Sequence, residues 1–209
     1  METPAKSTSL LVVVSAPSGG GKTTLCQQLV ETEANLARVI TCTTRLPREG
    51  EKDGADYYFF DADQFLKRVQ AGHFLEHATV YGNSYGTLKS EVLGKLRSGR
   101  DVLLNIDVQG AAAIQAQAEH EDELKRALVT IFLTPASLSE LERRLNKRGT
   151  DSAEIIRKRL GVARQELAQW KHFDYLILSR TIEEDLHRAR AILEAERMRR
   201  NRAVPPSFE

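Results

Sequence analysis

The stretch LLVVVSAPSGGGKTTLCQQLV, starting at Leu10, constrains the fold more than any other part of the chain. Leu10 to Ser15 is an aliphatic, β-branched run, the pattern of a strand buried on both faces. A glycine-rich turn follows, and then Leu25, Cys26, Leu29 and Val30 recur at the spacing of one helix face. A strand that passes through a glycine turn straight into a helix is the opening of an α/β fold.

The rest of the chain repeats the alternation. Arg38 to Thr41, Val102 to Ile106, Leu128 to Leu133 and Tyr175 to Leu178 read as further buried strands, with helical stretches between them. Ser137 with Glu140 reads as a capping box, and Thr181 with Glu184 opens a helix running to about Arg200. Gly99 suits the position just past a helix over 88–96. The expected architecture is one domain over 1–209, α/β in class, with a parallel sheet of about five strands flanked by helices. Its core comprises 10–40, 88–135 and 161–200. Residues 41–87 are rich in Thr, Arg, Gly and Tyr, carry a short strand at Tyr57 to Phe60, and read as an insertion beside the sheet. Residues 136–160, charged helices around RGTDS, read as a lid, and residues 1–9 as a frayed tail.

Composition narrows the partners. Lys plus Arg number 30 and Asp plus Glu 29, a net charge of +1. That balance supplies no global field for nucleic acid or an anionic membrane, so neither is an expected partner. The longest aliphatic run, Leu10 to Val14, falls far short of the roughly 18 residues of a membrane span. The start of the chain lacks the charged and then apolar pattern of a secretory signal. Two cysteines, Cys26 and Cys42, in no CxxC arrangement, make neither a disulfide scaffold nor a tetrahedral zinc site. A cytoplasmic location is expected.

Two segments carry phosphate chemistry. Ala16-Pro17-Ser18-Gly19-Gly20-Gly21-Lys22-Thr23, with Thr24 next, fits the phosphate-loop pattern GxxxxGK[ST], with Ala at the first glycine. The glycines let backbone N–H groups turn toward phosphate oxygens, and the following helix adds the positive end of its dipole. Lys22 reaches β- and γ-phosphates in such a loop, and Thr23 offers its hydroxyl to Mg²⁺. Further on, Thr41-Cys42-Thr43-Thr44-Arg45-Leu46-Pro47-Arg48-Glu49-Gly50 sets two guanidinium forks around a stiff proline, a pattern suited to a dianionic phosphate.

With these two loops, Gly54-Ala55-Asp56-Tyr57-Tyr58-Phe59, Phe74-Leu75-Glu76-His77-Ala78, Tyr81-Gly82-Asn83-Ser84-Tyr85-Gly86-Thr87 and Asp107-Val108-Gln109-Gly110 fall in an order and spacing that resemble the guanylate kinase family. Arg144, Arg148-Gly149 and Arg159 resemble its lid, and the resemblance runs over roughly residues 10–200. It implies a P-loop nucleoside-monophosphate kinase fold and transfer of the γ-phosphoryl of ATP, with Mg²⁺, to GMP bound in 41–87. It also implies that Arg45, Arg48, Tyr57 and Tyr85 hold the GMP phosphate, with Thr87 nearby. Thr41, Glu76 and Asp107 would read guanine, and Lys22, Arg45, Arg144, Arg148 and Arg159 would stabilise the transferring group. A carboxylate at Glu76 suits guanine, whose ring N–H and exocyclic NH₂ are adjacent donors. Asp107 ends a strand and could serve guanine or, through water, the metal shell. Asn105 stands where many members carry an acid; if that acid serves the metal, this chain does so with less charge, and Asn105 reads equally well as an alternating strand residue.

Other signals weigh less. His73-Phe74-Leu75-Glu76-His77 fits the zinc-protease pattern HxxEH, but Gly72 before it and Thr79-Val80-Tyr81-Gly82 after it favour a strand or loop over the helix that zinc needs. The arginines between Arg188 and Arg202 read as a solvated helix end, and Trp170 as packing between a helix and the last strand. A non-catalytic scaffold domain need not keep Gly21-Lys22-Thr23, and a switch GTPase would show an Asn-Lys-x-Asp segment that this chain lacks.

Overall fold

The structure is a computed structural model that describes residues 8–80, 82–147 and 153–204; Tyr81, the RGTDS segment with Arg148, and the first seven residues lie outside the described residues. β1 (Leu11–Ser15) is buried along its whole length and turns into α1 (Lys22–Thr32), which buries Leu25, Cys26 and Leu29. After the edge strand β2 (Leu36–Arg38), the chain builds a second unit: β3 (Cys42–Thr43), β4 (Tyr58–Phe59), α2 (Ala62–Gln70), β5 (Phe74–Val80) and β6 (Asn83–Leu88). It returns through α3 (Lys89–Arg97), β7 (Asp101–Asn105), α4 (Val108–Ala118), α5 (Asp122–Ala127) and β8 (Leu128–Pro135). Then come α6 (Leu138–Lys147), α7 (Ala153–Leu167), a 3₁₀ turn over Ala168–His172, β9 (Tyr175–Ser179) and α8 (Ile182–Arg197).

The core sheet has five strands in the order β2-β7-β1-β8-β9, with every pairing parallel. A parallel sheet needs cover on both faces. Leu25 and Leu29 of α1 with Ala189 and Leu193 of α8 pack on one face; Val92 of α3, Ile114 of α4 and Leu124 of α5 pack on the other. Because all five strands point the same way, their carboxyl ends share one rim, where an open α/β sheet binds its ligands. β1 and β7 are neighbours there, so the glycine turn after Ser15 and the segment after Asn105 face each other across a short gap.

The second sheet has the order β4-β3-β6-β5 and its own small core of Cys42, Phe65 and Phe74, with the two phenylalanine rings stacked 4.6 Å apart. The β5–β6 pairing shifts register between Phe74 and Glu76: Phe74 lies opposite Leu88, and Glu76 opposite Thr87. This bulge re-aims the strand. Leu75 is released into the core of the main sheet, and Glu76 turns toward Thr87.

Several expectations need correction. The second strand ends at Arg38; residues 39–41 cross between the sheets, so the run Arg38 to Thr41 is not one strand. Ser137 caps α6 by accepting the Glu140 N–H, but the Glu140 carboxylate turns to Arg143 and Arg144 and completes no capping box. Thr181 caps α8 as expected, through the Glu184 N–H, and the helix ends at Arg197. Gly99 takes φ +87° directly after α3 and its C-cap. The expected lid edge at residue 160 falls inside the continuous helix α7. Trp170 is half exposed, at 51 %, because the 3₁₀ turn points it outward. Arg190, Arg199 and Arg200 are exposed, as a solvated helix end would be, but Arg197 and Arg202 are pinned to the core. Arg197 bridges Glu33 and Asp101, and Arg202, 4 % exposed, pairs with buried Glu196 and donates to the Arg126 and Leu128 carbonyls. Hydrogen-bond partners at the far end of the sheet, invisible in a one-dimensional charge run, draw them in.

Candidate active site

The glycine turn is held by close packing. Gly20 donates to the Pro17 carbonyl at 2.8 Å, and a Cβ on Gly20 would come within 2.9 Å of Ala16 and 3.0 Å of that carbonyl. Gly19 takes φ +88°, and a Cβ there would meet Leu145 of α6 at 2.8 Å. The glycines therefore serve two ends: they let the turn close, and they let α6 settle on it. Gly21 precedes α1 with no side-chain cap, so the first N–H groups of α1 remain available for an anion.

A cavity of about 260 Å³ follows this turn, lined by residues 16–23 together with Asp107 and Glu166. Lys22 donates to the Ile106 carbonyl at 2.7 Å, which ties the loop to the end of β7. Burial lowers its pKa, opposed by the Asp107 and Glu166 carboxylates and the Cys26 thiol nearby. Asp107 caps α4 by accepting the Gly110 N–H at 2.8 Å. Thr23 and Thr24 are exposed at the start of α1. From the lid side, Arg144 reaches over the turn: its Nη1 lies 3.8 Å from where a Gly21 Cβ would stand. It is oriented by Glu140 at 2.9 Å and by the Ser179 hydroxyl at 3.0 Å, which in turn donates to buried Asp185. Arg159 is half-buried on α7.

A larger cavity, about 540 Å³, opens between α1, the end of β2 and the end of β7. Thr41, Tyr57, Asn105 and Ile106 line it, and Thr23 lines both cavities. Next to it lies the arginine loop. Arg45 pairs with Glu51 at 2.8 Å, and its guanidinium stands 5.6 Å from the Tyr57 ring and 5.9 Å from that of Phe59. Tyr57 and Tyr85 meet edge to face at 6.4 Å. Arg48 is exposed, and its backbone N–H rests on the second oxygen of Glu51.

Glu76 and Thr87 form the third group. The Thr87 hydroxyl, fully buried, donates to Glu76 Oε1 at 2.6 Å. Glu76 Oε2 points toward the start of α4, where only a glycine at 110 leaves room; a Cβ there would stand 3.2 Å away. Burial raises the Glu76 pKa, only partly offset by the Thr87 hydrogen bond, and the Asp107 charge raises it further. The HxxEH segment is strand, with both histidines exposed and Glu76 turned inward, so its three residues cannot close on one metal.

The structure thus gathers Lys22, Thr23, Asp107 and Arg144 at one cavity, Thr41 and Tyr57 at the other, Arg45 and Tyr85 against Tyr57, and Glu76 with Thr87. Asp107 is the common neighbour, felt by both Lys22 and Glu76. Sequence reasoning missed Glu51, Glu140, Ser179 and Glu166. Glu51 belonged to a recognised segment, whereas Glu166 lies 148 residues from its partner Ser18 and no spacing announces it.

Comparison with known proteins gives the family. The family model for guanylate kinase matches residues 8–196. A guanylate kinase of Paramagnetospirillum magneticum is 42% identical over 195 residues, covering 93% of this chain and 88% of that protein. One from Carboxydothermus hydrogenoformans is 45% identical over 193 residues, covering 92% and 91%. The crystal structure of guanylate kinase from Anaplasma phagocytophilum superposes with a TM-score of 0.71 at 33% identity, covering 94% of this chain and 90% of that one.

Proposed function

The chain belongs to the guanylate kinase family, and from that premise we propose how its two cavities divide one reaction, the transfer of the γ-phosphoryl group of ATP to GMP. The protein is a phosphotransferase that yields ADP and GDP, a step of purine nucleotide metabolism and of GMP recycling.

The ATP phosphates bind the loop 16–24, with Lys22 on the β- and γ-oxygens. GMP binds against 41–87. Arg45, Arg48, Tyr57 and Tyr85 hold its phosphate, and Thr41, Glu76 and Asp107 read its base, with Thr87 donating to Glu76. Two carboxylate oxygens of Glu76 face two guanine donors; adenine presents a ring acceptor instead and leaves a buried carboxylate poorly paired. An oxygen of the GMP phosphate then attacks the γ-phosphorus, and the bond to the β-phosphate oxygen breaks with its electron pair leaving on ADP. Arg144, Arg148 and Arg159 from the lid stabilise the charge spread over the moving group. No covalent enzyme intermediate is involved; positioning and water exclusion carry the rate.

Magnesium fits the residues present. An exposed Thr23 hydroxyl lines the phosphate cavity beside the Asp107 carboxylate, a hard oxygen set that suits a cation held mainly by phosphates. When bound, Mg²⁺ neutralises charge on the β- and γ-phosphates. The buried free thiols Cys26 and Cys42, each pushed up to about 12 by desolvation, suit a reducing cytoplasm. No described helix is long and apolar enough to cross a membrane.

The observation that carries this reading is Asp107, which lines the phosphate cavity and caps α4 through the N–H of Gly110, the glycine toward which Glu76 Oε2 points. Donor and acceptor sites therefore meet at one residue. A coupled ADP-release assay with ATP, Mg²⁺ and GMP, AMP, UMP or TMP tests it. GMP is the expected acceptor, and preference for any other monophosphate contradicts the base-site reading.

A further inference from the structure

Glu166 has no part in the division of labour above, yet its carboxylate lines the phosphate cavity. Glu166 Oε2 accepts the Ser18 N–H at 3.1 Å. An inward amide of a phosphate loop is a binding group for anions. Here that amide is already taken, by a side chain of α7.

We propose that Glu166 is a built-in counter-anion of the phosphate loop, which a donor phosphate displaces from Ser18 in order to bind. The proposal rests on the reading of the loop as the donor site. Charge makes the displacement necessary. Among the described lining residues Lys22 is the cation and Asp107 and Glu166 are the carboxylates, while Arg144, which reaches over the turn, is already paired with Glu140. A polyphosphate entering beside both acids meets like charge at short range in a partly desolvated site.

Of the two acids, Asp107 is fixed. It caps α4 through the Gly110 N–H and sits at the end of a core strand. Glu166 is bound to the loop by one hydrogen bond and sits in the last turn of α7, the helix that packs on α6 of the lid. Its pKa is raised on balance: burial, with the Asp107 charge, outweighs the Ser18 hydrogen bond and Lys22, so the carboxylate is held there at a cost.

The displacement has a mechanical consequence. Ala163, one turn before Glu166, packs with Leu141 and Leu145 of α6, and Leu145 lies against Gly19. The α6–α7 pair thus touches the loop at two points, an apolar one at Gly19 and a polar one at Ser18. Donor binding removes the polar one. α7 also carries Arg159, so releasing Glu166 frees the helix that brings a lid arginine to the phosphates. Arrival of the donor and freedom of the lid become one event.

Pyrophosphate binding, measured by calorimetry with a chelator present so that no metal bridges the charges, tests this. Glu166→Gln keeps size and shape but removes the charge. It is expected to bind pyrophosphate at least about fivefold more tightly than the parent protein. Glu142→Gln, the same charge change at an exposed site on α6, is expected to bind like the parent. Lys22→Ala is expected to bind more weakly. Weaker binding in Lys22→Ala without tightening in Glu166→Gln overturns the counter-anion and leaves the donor site standing. No change in Lys22→Ala overturns both. Hydrogen exchange at the Ser18 amide, without nucleotide, supplies the second readout: it is expected to accelerate in Glu166→Ala, and an unchanged rate overturns the proposal.

Discussion

The phosphate loop and the arginine loop, each proposed to hold a phosphate, are built in opposite ways. The first is preassembled. Gly19 and Gly20 sit against Leu145, Ala16 and the Pro17 carbonyl with no room to spare, and Lys22 is fixed to a core strand end. The second is open. Leu46 is 83 % exposed, Gly50 takes the same left-handed backbone as Gly19 but has no atom within 4 Å of a Cβ, and Arg45 is held by an acid of its own loop, Glu51. Glu166 apart, the proposed donor site is therefore set on folding, and the proposed acceptor site is adjusted on binding. A loop that surrenders Glu51 to accept a phosphate can also let go of it, which suits a product that must leave.

The largest break in this contrast comes from Lys22→Ala. Turnover is expected to fall by about a hundredfold or more, since a cation on the transferring phosphates is lost while the fold, stabilised elsewhere, survives. Steady-state kinetics beside a thermal melt checks both. Glu76→Gln follows: kcat/KM for GMP should fall at least about tenfold, because an NH₂ donor then faces a guanine donor. The preference over AMP should narrow, with KM for ATP unmoved. The same substitution sharpens a pH effect. The Glu76 pKa is raised in the folded protein, so its acceptor oxygens are lost as pH falls through a value above the ordinary carboxylate range. The acid limb of kcat/KM for GMP should lie there, and Glu76→Gln should abolish it. The smallest effect compares the two loops directly. Gly19→Ala and Gly50→Ala each impose a left-handed backbone on an L-residue, about 1–2 kcal/mol. Only Gly19→Ala adds the contact with Leu145, so chemical denaturation should show the larger loss there, and equal losses would remove the packing argument.

This contrast also explains what the sequence made legible. A preassembled site leaves local marks: the buried strand before it, glycines at fixed offsets, Lys-Thr at the helix start. The five-stranded sheet was legible for the same reason, from aliphatic runs. What was hidden depends on distant partners. The bulge that sends Leu75 to the core and Glu76 to Thr87 is a matter of register with β6, which no window of β5 contains. Arg197 looked solvated because Glu33 and Asp101 are about 160 and 100 positions away in sequence. Arg38 to Thr41 looked like one strand because the pattern cannot show where a chain changes sheets.

The central claim, that the two loops serve separate nucleotides, is tested most directly by measuring ADP and GMP affinity separately in Lys22→Ala and Arg45→Ala. Lys22→Ala should weaken ADP and spare GMP. Arg45→Ala should weaken GMP by roughly 1.5–3 kcal/mol, the worth of charge-assisted hydrogen bonds to a phosphate, and spare ADP. If either substitution weakens both nucleotides equally, the division of the site between a preassembled donor loop and an adaptable acceptor loop is wrong.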